Sequence, residues 1–323
     1  MLKNKIQIFF YNCLLNYKIK IIKGLKIKIF FDLLLFFFII NLNIKKNQIK
    51  VCLCTVGKLE NKYILEFVKY YKKYQVDKIF IYDNNDINGE KFEDILSYYI
   101  KINFTEIINH RGEKKIQIKM MQDCYYKNYK IYDWLIFYDI DEYIHLKNYQ
   151  NIKDFLIKKK FDKCQSIYLN WIMHTDNDLQ YYDKRILSKR FKEVVKDRKY
   201  CYGKTIIRGR IENLKFWSTH TLDKFIGRCN GFGKKILIKI RACKAPDYKY
   251  FYIDHYYSKS TEEFIYKLNK GDAIVDQNIK NKYIRIKLYF RFNKITKEKI
   301  KYIAKKAKLK IPLIMHYLKK LKH

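Results

Sequence analysis

The sequence predicts an α/β fold in which a mainly parallel sheet is flanked by helices. Short, almost wholly apolar runs, Ile49 to Val56, Lys78 to Tyr82 and Trp134 to Tyr138, alternate with segments of helical period. Strands buried on both faces read as continuous apolar runs of this kind. Between them Ile64, Phe67, Val68 and Tyr71, and then Phe92, Ile95, Leu96 and Tyr99, fall at the i, i+3, i+4, i+7 spacing of one helix face. Two acidic clusters, Asp83 to Asp86 and Asp139 to Glu142, follow strands directly. Parallel sheets bind ligands beyond the carboxyl ends of their strands, so both clusters stand where a site is expected.

Taken in order, the first strand ends at Gly57, and Lys78 to Tyr82 is the second. Thr105 to Ile108 is a short third strand, and a helix around Ile116 to Tyr129 leads into WLIFY, Trp134 to Tyr138. Ser166 to Asn170 is another strand, after which periodicity weakens. From Glu298 the helical period returns, with Ile300, Ile303, Ala304 and Ala307 on one face. Pro312 then opens a second helix carrying Ile314, Tyr317, Leu318 and Leu321. The implied organisation is a basic, apolar segment over 1–47, a catalytic domain over 48–275 and a basic helical C-terminal extension over 276–323. Ten Gly and two Pro give no Gly- or Pro-rich linker between them.

The net charge of +37 resembles that of a nucleic-acid binder. Its makeup argues otherwise: 59 of the 69 basic residues are Lys, whereas Arg is the better reader of phosphates and bases. Residues 1–50 carry +9 and residues 280–323 carry +15, leaving +13 for the middle. Basic ends on a milder core suit peripheral contact with an anionic membrane. The apolar run Ile29 to Leu42 has fourteen residues, Asp32 and Asn41 among them. A spanning helix needs ~20 apolar residues, so in-plane attachment or a buried helix is expected. No cleavage site of a signal peptide follows it. Eight scattered Cys with no C-x-x-C pair read as small buried hydrophobes, with neither a zinc site nor a disulfide framework, which places the chain in the reducing cytoplasm.

The chemistry concentrates at Asp139-Ile140-Asp141-Glu142. In an extended backbone Asp139 and Asp141 leave one face while Ile140 points into the core. Paired carboxylates suit Mg²⁺ or Mn²⁺, which takes one or two of them beside waters and substrate phosphates. Asp176, in HTDND after an apolar strand, is a candidate general base. GFGK at Gly231 to Lys234 lacks P-loop spacing and reads as a turn, and neither G-x-S-x-G nor H-E-x-x-H occurs.

Five segments in order, LCTVGKLENKYILEFVKYY, IFIYDNND, DWLIFYDIDEYI, NWIMHTDNDLQYYDKR and IDHYYSKSTEEFIYKLNKG, resemble successive blocks of the glycosyltransferase family 2 and family 92 group. They cover roughly residues 50–272. The resemblance implies a GT-A fold, Rossmann-like, and transfer of a sugar from a nucleotide-sugar donor, often a uridine diphosphate sugar, to a glycan or lipid-linked acceptor, with inversion. It implies Asp141 as direct metal ligand and Asp139 beside it toward the ribose or through water. Glu142 would brace the loop or the acceptor side, Asp83 would contact the nucleoside, and Glu60 lies in the nucleotide-proximal loop. His255, in DHYYSK, matches a late His that joins the metal or the diphosphate, with His220 as its competitor and Lys259 suited to a lid over phosphates. Tyr71 and Gln75 stand where relatives often carry His and Gly. The rival readings are a nucleic-acid-binding module and a metal-dependent nucleotidyltransferase.

Overall fold

Parallel pairing of the first apolar runs organises the molecule. The computed structural model describes residues 32–36, 49–114, 116–195, 202–216, 218, 227–236, 248–270 and 279–319. The chain divides into two compact units, Met1–Gln48 and Ile49–His323. In the first, residues 32–36 are helical, so most of the apolar run Ile29 to Leu42 lies outside the described residues. No described helix is long and apolar enough to cross a membrane.

In the second unit, β1 (Val51–Gly57), α1 (Asn61–Lys73), β2 (Lys78–Asp83), α2 (Glu93–Lys101), β3 (Thr105–Asn109), α3 (Gln117–Asn128) and β4 (Trp134–Phe137) follow one another. These strands lie side by side as β3-β2-β1-β4, all parallel. Strand alternation divides their side chains between two layers. Val51, Leu53, Ile79 and Ile136 pack against Ile64, Phe67 and Val68 of α1 and Leu96 of α2. Cys52, Phe80, Leu135 and Phe137 pack instead against Met120 and Tyr125 of α3. Gln75 adopts φ 61°, a left-handed conformation that glycine takes without steric cost.

The second half mixes directions. It comprises β5 (Glu142–Leu146), α4 (Ile152–Leu156), β6 (Ser166–Met173), α5 (Leu187–Arg190), β7 (Gly203–Arg208), β8 (Arg228–Cys229) and β9 (Phe251–His255). β7 inserts antiparallel between β4 and β6, β9 runs parallel to β6, and β5 closes the far side antiparallel to β9. At Gly203 an added Cβ would stand 1.9 Å from the Leu169 carbonyl oxygen, so glycine is required for the close approach of β7 to β6.

Helices α6 (Thr261–Lys270), α7 (Ile279–Phe292), α8 (Lys297–Ala307) and α9 (Ile311–Lys319) build a third core. Phe264 and Leu268 of α6 meet Tyr289 of α7, Ile300 and Ile303 of α8 and Ile314 and Leu318 of α9. The apolar stripe of α8 is thus spent on packing, which leaves Lys297, Lys301, Lys305 and Lys306 outward, whereas α9 buries Ile314 and Leu318 and exposes Ile311, Leu313 and Met315.

The cysteine reading is corrected. Cys54 is bonded to Cys124 and Cys164 to Cys229, while Cys52 is free and buried. Partners about seventy residues apart in sequence meet because β1 packs on α3 and β8 pairs with β6, contacts that spacing along the chain does not reveal.

Candidate active site

Gly57, Asp83 and Phe137 end three neighbouring parallel strands at one edge of the sheet. An added Cβ on Gly57 would come within 2.8 Å of both Phe92 and Ile140, so glycine lets the next turn close down on β1. That turn joins β4 to β5. The Glu142 N–H donates to the Asp139 carbonyl at 3.0 Å, and the Asp139 N–H donates to Glu142 Oε2 at 3.0 Å. The expectation of an extended backbone through Asp139 and Asp141 is therefore corrected, because the chain reverses here to enter β5. Ile140 is nonetheless buried in the core, as expected. Tyr71 fixes the turn from below, donating to the Glu142 carbonyl at 2.8 Å and accepting from the Ile144 N–H.

The turn carries two sets of partners. Asp139 accepts from Gln117 Nε2 at 2.9 Å and from Lys204 Nζ at 2.8 Å, with Glu142 Oε1 a further 3.7 Å from the same ammonium. Asp141 accepts from Lys267 Nζ at 2.8 Å, and its other oxygen lies 3.5 Å from His255 Nε2. Close by, Glu60 pairs with Lys270 and, at 3.5 Å, with Lys259. Burial works to raise the Asp141 carboxyl, but Lys267, His255 and Lys259 outweigh it and hold it well below the carboxylate range. Glu142 goes the other way, driven well up by burial and by the charges of Asp139 and Asp141. Burial also lowers His255, which leaves its imidazole neutral near pH 7.

A narrow cleft opens beside Asp139, lined by Thr55, Tyr82, Gln117, Met120, Tyr138 and Lys204 among others. Asp83 sits on the same strand edge but is fully buried, accepting from the Asn85 N–H and from Arg111 Nε at 2.8 Å. Its neighbour Tyr82 faces the cleft instead. Asp176, expected as a base, is turned toward the C-terminal helices: it accepts from Tyr289 Oη at 2.5 Å and Lys299 Nζ at 2.7 Å. His220 lies outside the described residues. The structure thus gathers Glu60, Asp139, Asp141, Glu142 and His255 and keeps Asp83 and Asp176 apart as anchors. Gln117, Lys204, Lys267 and Lys270 join the site without a motif that singles them out in the sequence. Lys267 and Lys270 stand at i, i+3 on the helix after His255, a spacing that offered a signal, whereas Lys204 offered none.

Among the described residues no group of three or more His, Cys, Asp or Glu is placed to hold a metal ion by itself. Asp141 and His255 form a smaller donor set, one carboxylate and one imidazole whose Nε2 faces it at 3.5 Å. Such a set fits Mg²⁺ or Mn²⁺ when phosphate oxygens and waters complete the shell. Asp139 has both oxygens occupied and belongs to the cleft.

The family model of Glycosyltransferase family 92 matches residues 47–311. The chain belongs to this family. A family 92 protein of Ricinus communis is 26% identical over 105 residues, 32% of this chain and 19% of that protein. Another from Oryza sativa subsp. japonica is 26% identical over 106 residues, 33% of this chain and 18% of that one. The matched stretch is thus about a fifth of the length of these curated relatives. Among solved structures, S. aureus TarS 1–349 in complex with UDP-GlcNAc is 12% identical, with a TM-score of 0.36 over 84% of this chain and 91% of that one. The same protein in complex with UDP gives a TM-score of 0.33. The architecture, a curled and mainly parallel sheet between helices, is the GT-A-like fold that the sequence blocks implied.

Proposed function

We propose that the protein transfers a sugar from a nucleotide-sugar donor of the uridine diphosphate class to a glycan or glycolipid acceptor, with Mn²⁺ or Mg²⁺ and with inversion. Family membership supports the reaction class over nucleotidyl transfer or nucleic-acid binding. One structural observation carries the placement of the donor. Among the buried polar atoms without a hydrogen bond, Thr55 Oγ1, Tyr138 Oη and His255 Nδ1 lie around this strand edge, together with Glu60 Oε2 and Glu142 Oε1, which have only longer ion pairs with Lys259 and Lys204. Folded proteins pair nearly all such atoms, so those at this edge offer a polar ligand ready partners.

In this reading the nucleoside enters the cleft beside Thr55 and Tyr82, and Asp139, held by Gln117 and Lys204, faces the ribose. The diphosphate lies toward Asp141, His255, Lys267 and Lys270. Asp141 and His255 would hold the divalent cation, which offsets charge growing on the departing diphosphate. Glu142 braces the turn through the Asp139 N–H, and neutral His255 keeps a lone pair for a ligand. The two disulfides favour an oxidising compartment over the cytoplasm. Outward lysines on α8 support peripheral, charge-driven contact with an anionic membrane.

Calorimetric titration with UDP, GDP and ADP in Mn²⁺, followed by a screen of the matching nucleotide sugars for metal-dependent release of nucleoside diphosphate, tests this. Saturable UDP binding and UDP release are expected. Absence of binding by every nucleoside diphosphate would remove the donor site.

A further inference from the structure

Three ammonium groups converge on two carboxylates at the mouth of the site. Lys267 donates to Asp141, while Lys259 and Lys270 both pair with Glu60. Lys270 also donates to the Lys58 carbonyl at 2.8 Å, and Lys259 lies 3.6 Å over the Tyr63 ring. Three ammoniums against two carboxylates leave the cluster with an excess positive charge. A divalent cation arriving alone would meet that excess and find one Asp141 oxygen taken. A cation arriving with a diphosphate brings its own counter-charge and offers the displaced ammonium a new acceptor.

We propose that Lys267 occupies the cation's place at Asp141 while the donor is absent, and moves to the donor's diphosphate when cation and nucleotide enter together. This rests on the donor-site reading above. Asp141 is 7% exposed, and a carboxylate that buried needs a counter-charge at all times. Lys267 can both supply it and leave. Its side chain is 25% exposed, and a flexible four-carbon stem carries an ammonium that also sits 4.5 Å over the Tyr257 ring. Lys204 marks the contrast: its side chain is 2% exposed and wedged between Asp139 and Glu142, which fixes it. The consequence is coupled entry, in which the chain discriminates against the free cation and accepts it with the nucleotide.

Calorimetry with Mn²⁺ alone, and with UDP in the presence of Mn²⁺, reads both halves on the wild type, Lys267→Met and Lys267→Gln. The wild type is expected to show no saturable micromolar binding of Mn²⁺ alone. Both variants, with Asp141 left without its counter-charge, should bind Mn²⁺ alone at least about tenfold more tightly and UDP about tenfold more weakly. Micromolar binding of Mn²⁺ alone by the wild type overturns the proposal whether or not either variant folds. Wild-type UDP binding with both constants unchanged in the variants overturns the role of Lys267 and leaves the donor site standing. No UDP binding by the wild type overturns the donor-site reading itself, and this proposal with it.

Discussion

Asp141 and Ile140 are adjacent in sequence and opposite in consequence. Asp141→Asn keeps shape and polarity but removes the charge that faces Lys267 and His255. Donor turnover should fall at least about a hundredfold, the scale on which oriented electrostatic groups act in group transfer. The melting temperature should move little, because the partly exposed Lys267 ammonium can return to water. Ile140→Ala acts on the core instead and should cost ~2–5 kcal/mol of stability. Transferase assays beside thermal melts separate the two, and near-normal metal-dependent turnover by Asp141→Asn would remove the acidic turn from the mechanism.

At the scale of elements, α6 carries the lysines of the site, so its seat matters as much as their chemistry. Glu263 in its first turn fixes it. Both oxygens accept from Arg190 of α5, at 2.7 and 3.0 Å, and the carboxylate also accepts from Tyr63 Oη of α1 at 2.5 Å and from the Ser260 N–H at 3.0 Å. Burial works to raise the Glu263 carboxyl, but Arg190, Ser260 and Tyr63 outweigh it and hold it below the ordinary value of 4.5. The unfolded chain therefore binds the extra proton first as pH falls. The stability Glu263 contributes is complete above about pH 4.5 and is lost as pH drops through its depressed folded value. Glu263→Gln leaves Arg190 buried without a counter-charge and should cost about 3–5 kcal/mol at pH 7. Urea titrations of both proteins should show that gap narrowing toward acid; a gap independent of pH would mean that the carboxylate charge is not what holds α6.

For the whole molecule, the disulfides Cys54–Cys124 and Cys164–Cys229 close loops of 70 and 65 residues. On chain-entropy reasoning each contributes about 4 kcal/mol. Dithiothreitol should lower the melting temperature, and non-reducing peptide mapping should recover both linked pairs. Recovery of free thiols at Cys54 and Cys164 after non-reducing purification from an oxidising compartment would rule the bonds out. The outward lysines of α8 predict flotation with anionic vesicles that falls as salt rises, since exposed charges are screened beyond ~8 Å at physiological ionic strength. Binding that survives high salt would point to insertion and against this face.

What the sequence determined by itself was local: the apolar runs of β1, β2 and β4, the stripe of α1, the stripes of α8 and α9, and the acidic turn after WLIFY. These signals rest on periods of two and 3.6 residues and on immediate neighbours, which a chain carries whatever its tertiary fold. The strands β5, β7 and β9 escaped because they are short and interrupted by polar residues of the site, Lys204 and His255 among them. Tertiary structure alone chose the counterions. Lys204 stands 65 residues from Asp139, and Lys267 stands 126 from Asp141. In a chain with 59 lysines, residue type cannot single those two out. The closure of β7 against β4 and the docking of α6 bring them in, because a buried carboxylate is stable only where the fold delivers a cation to it.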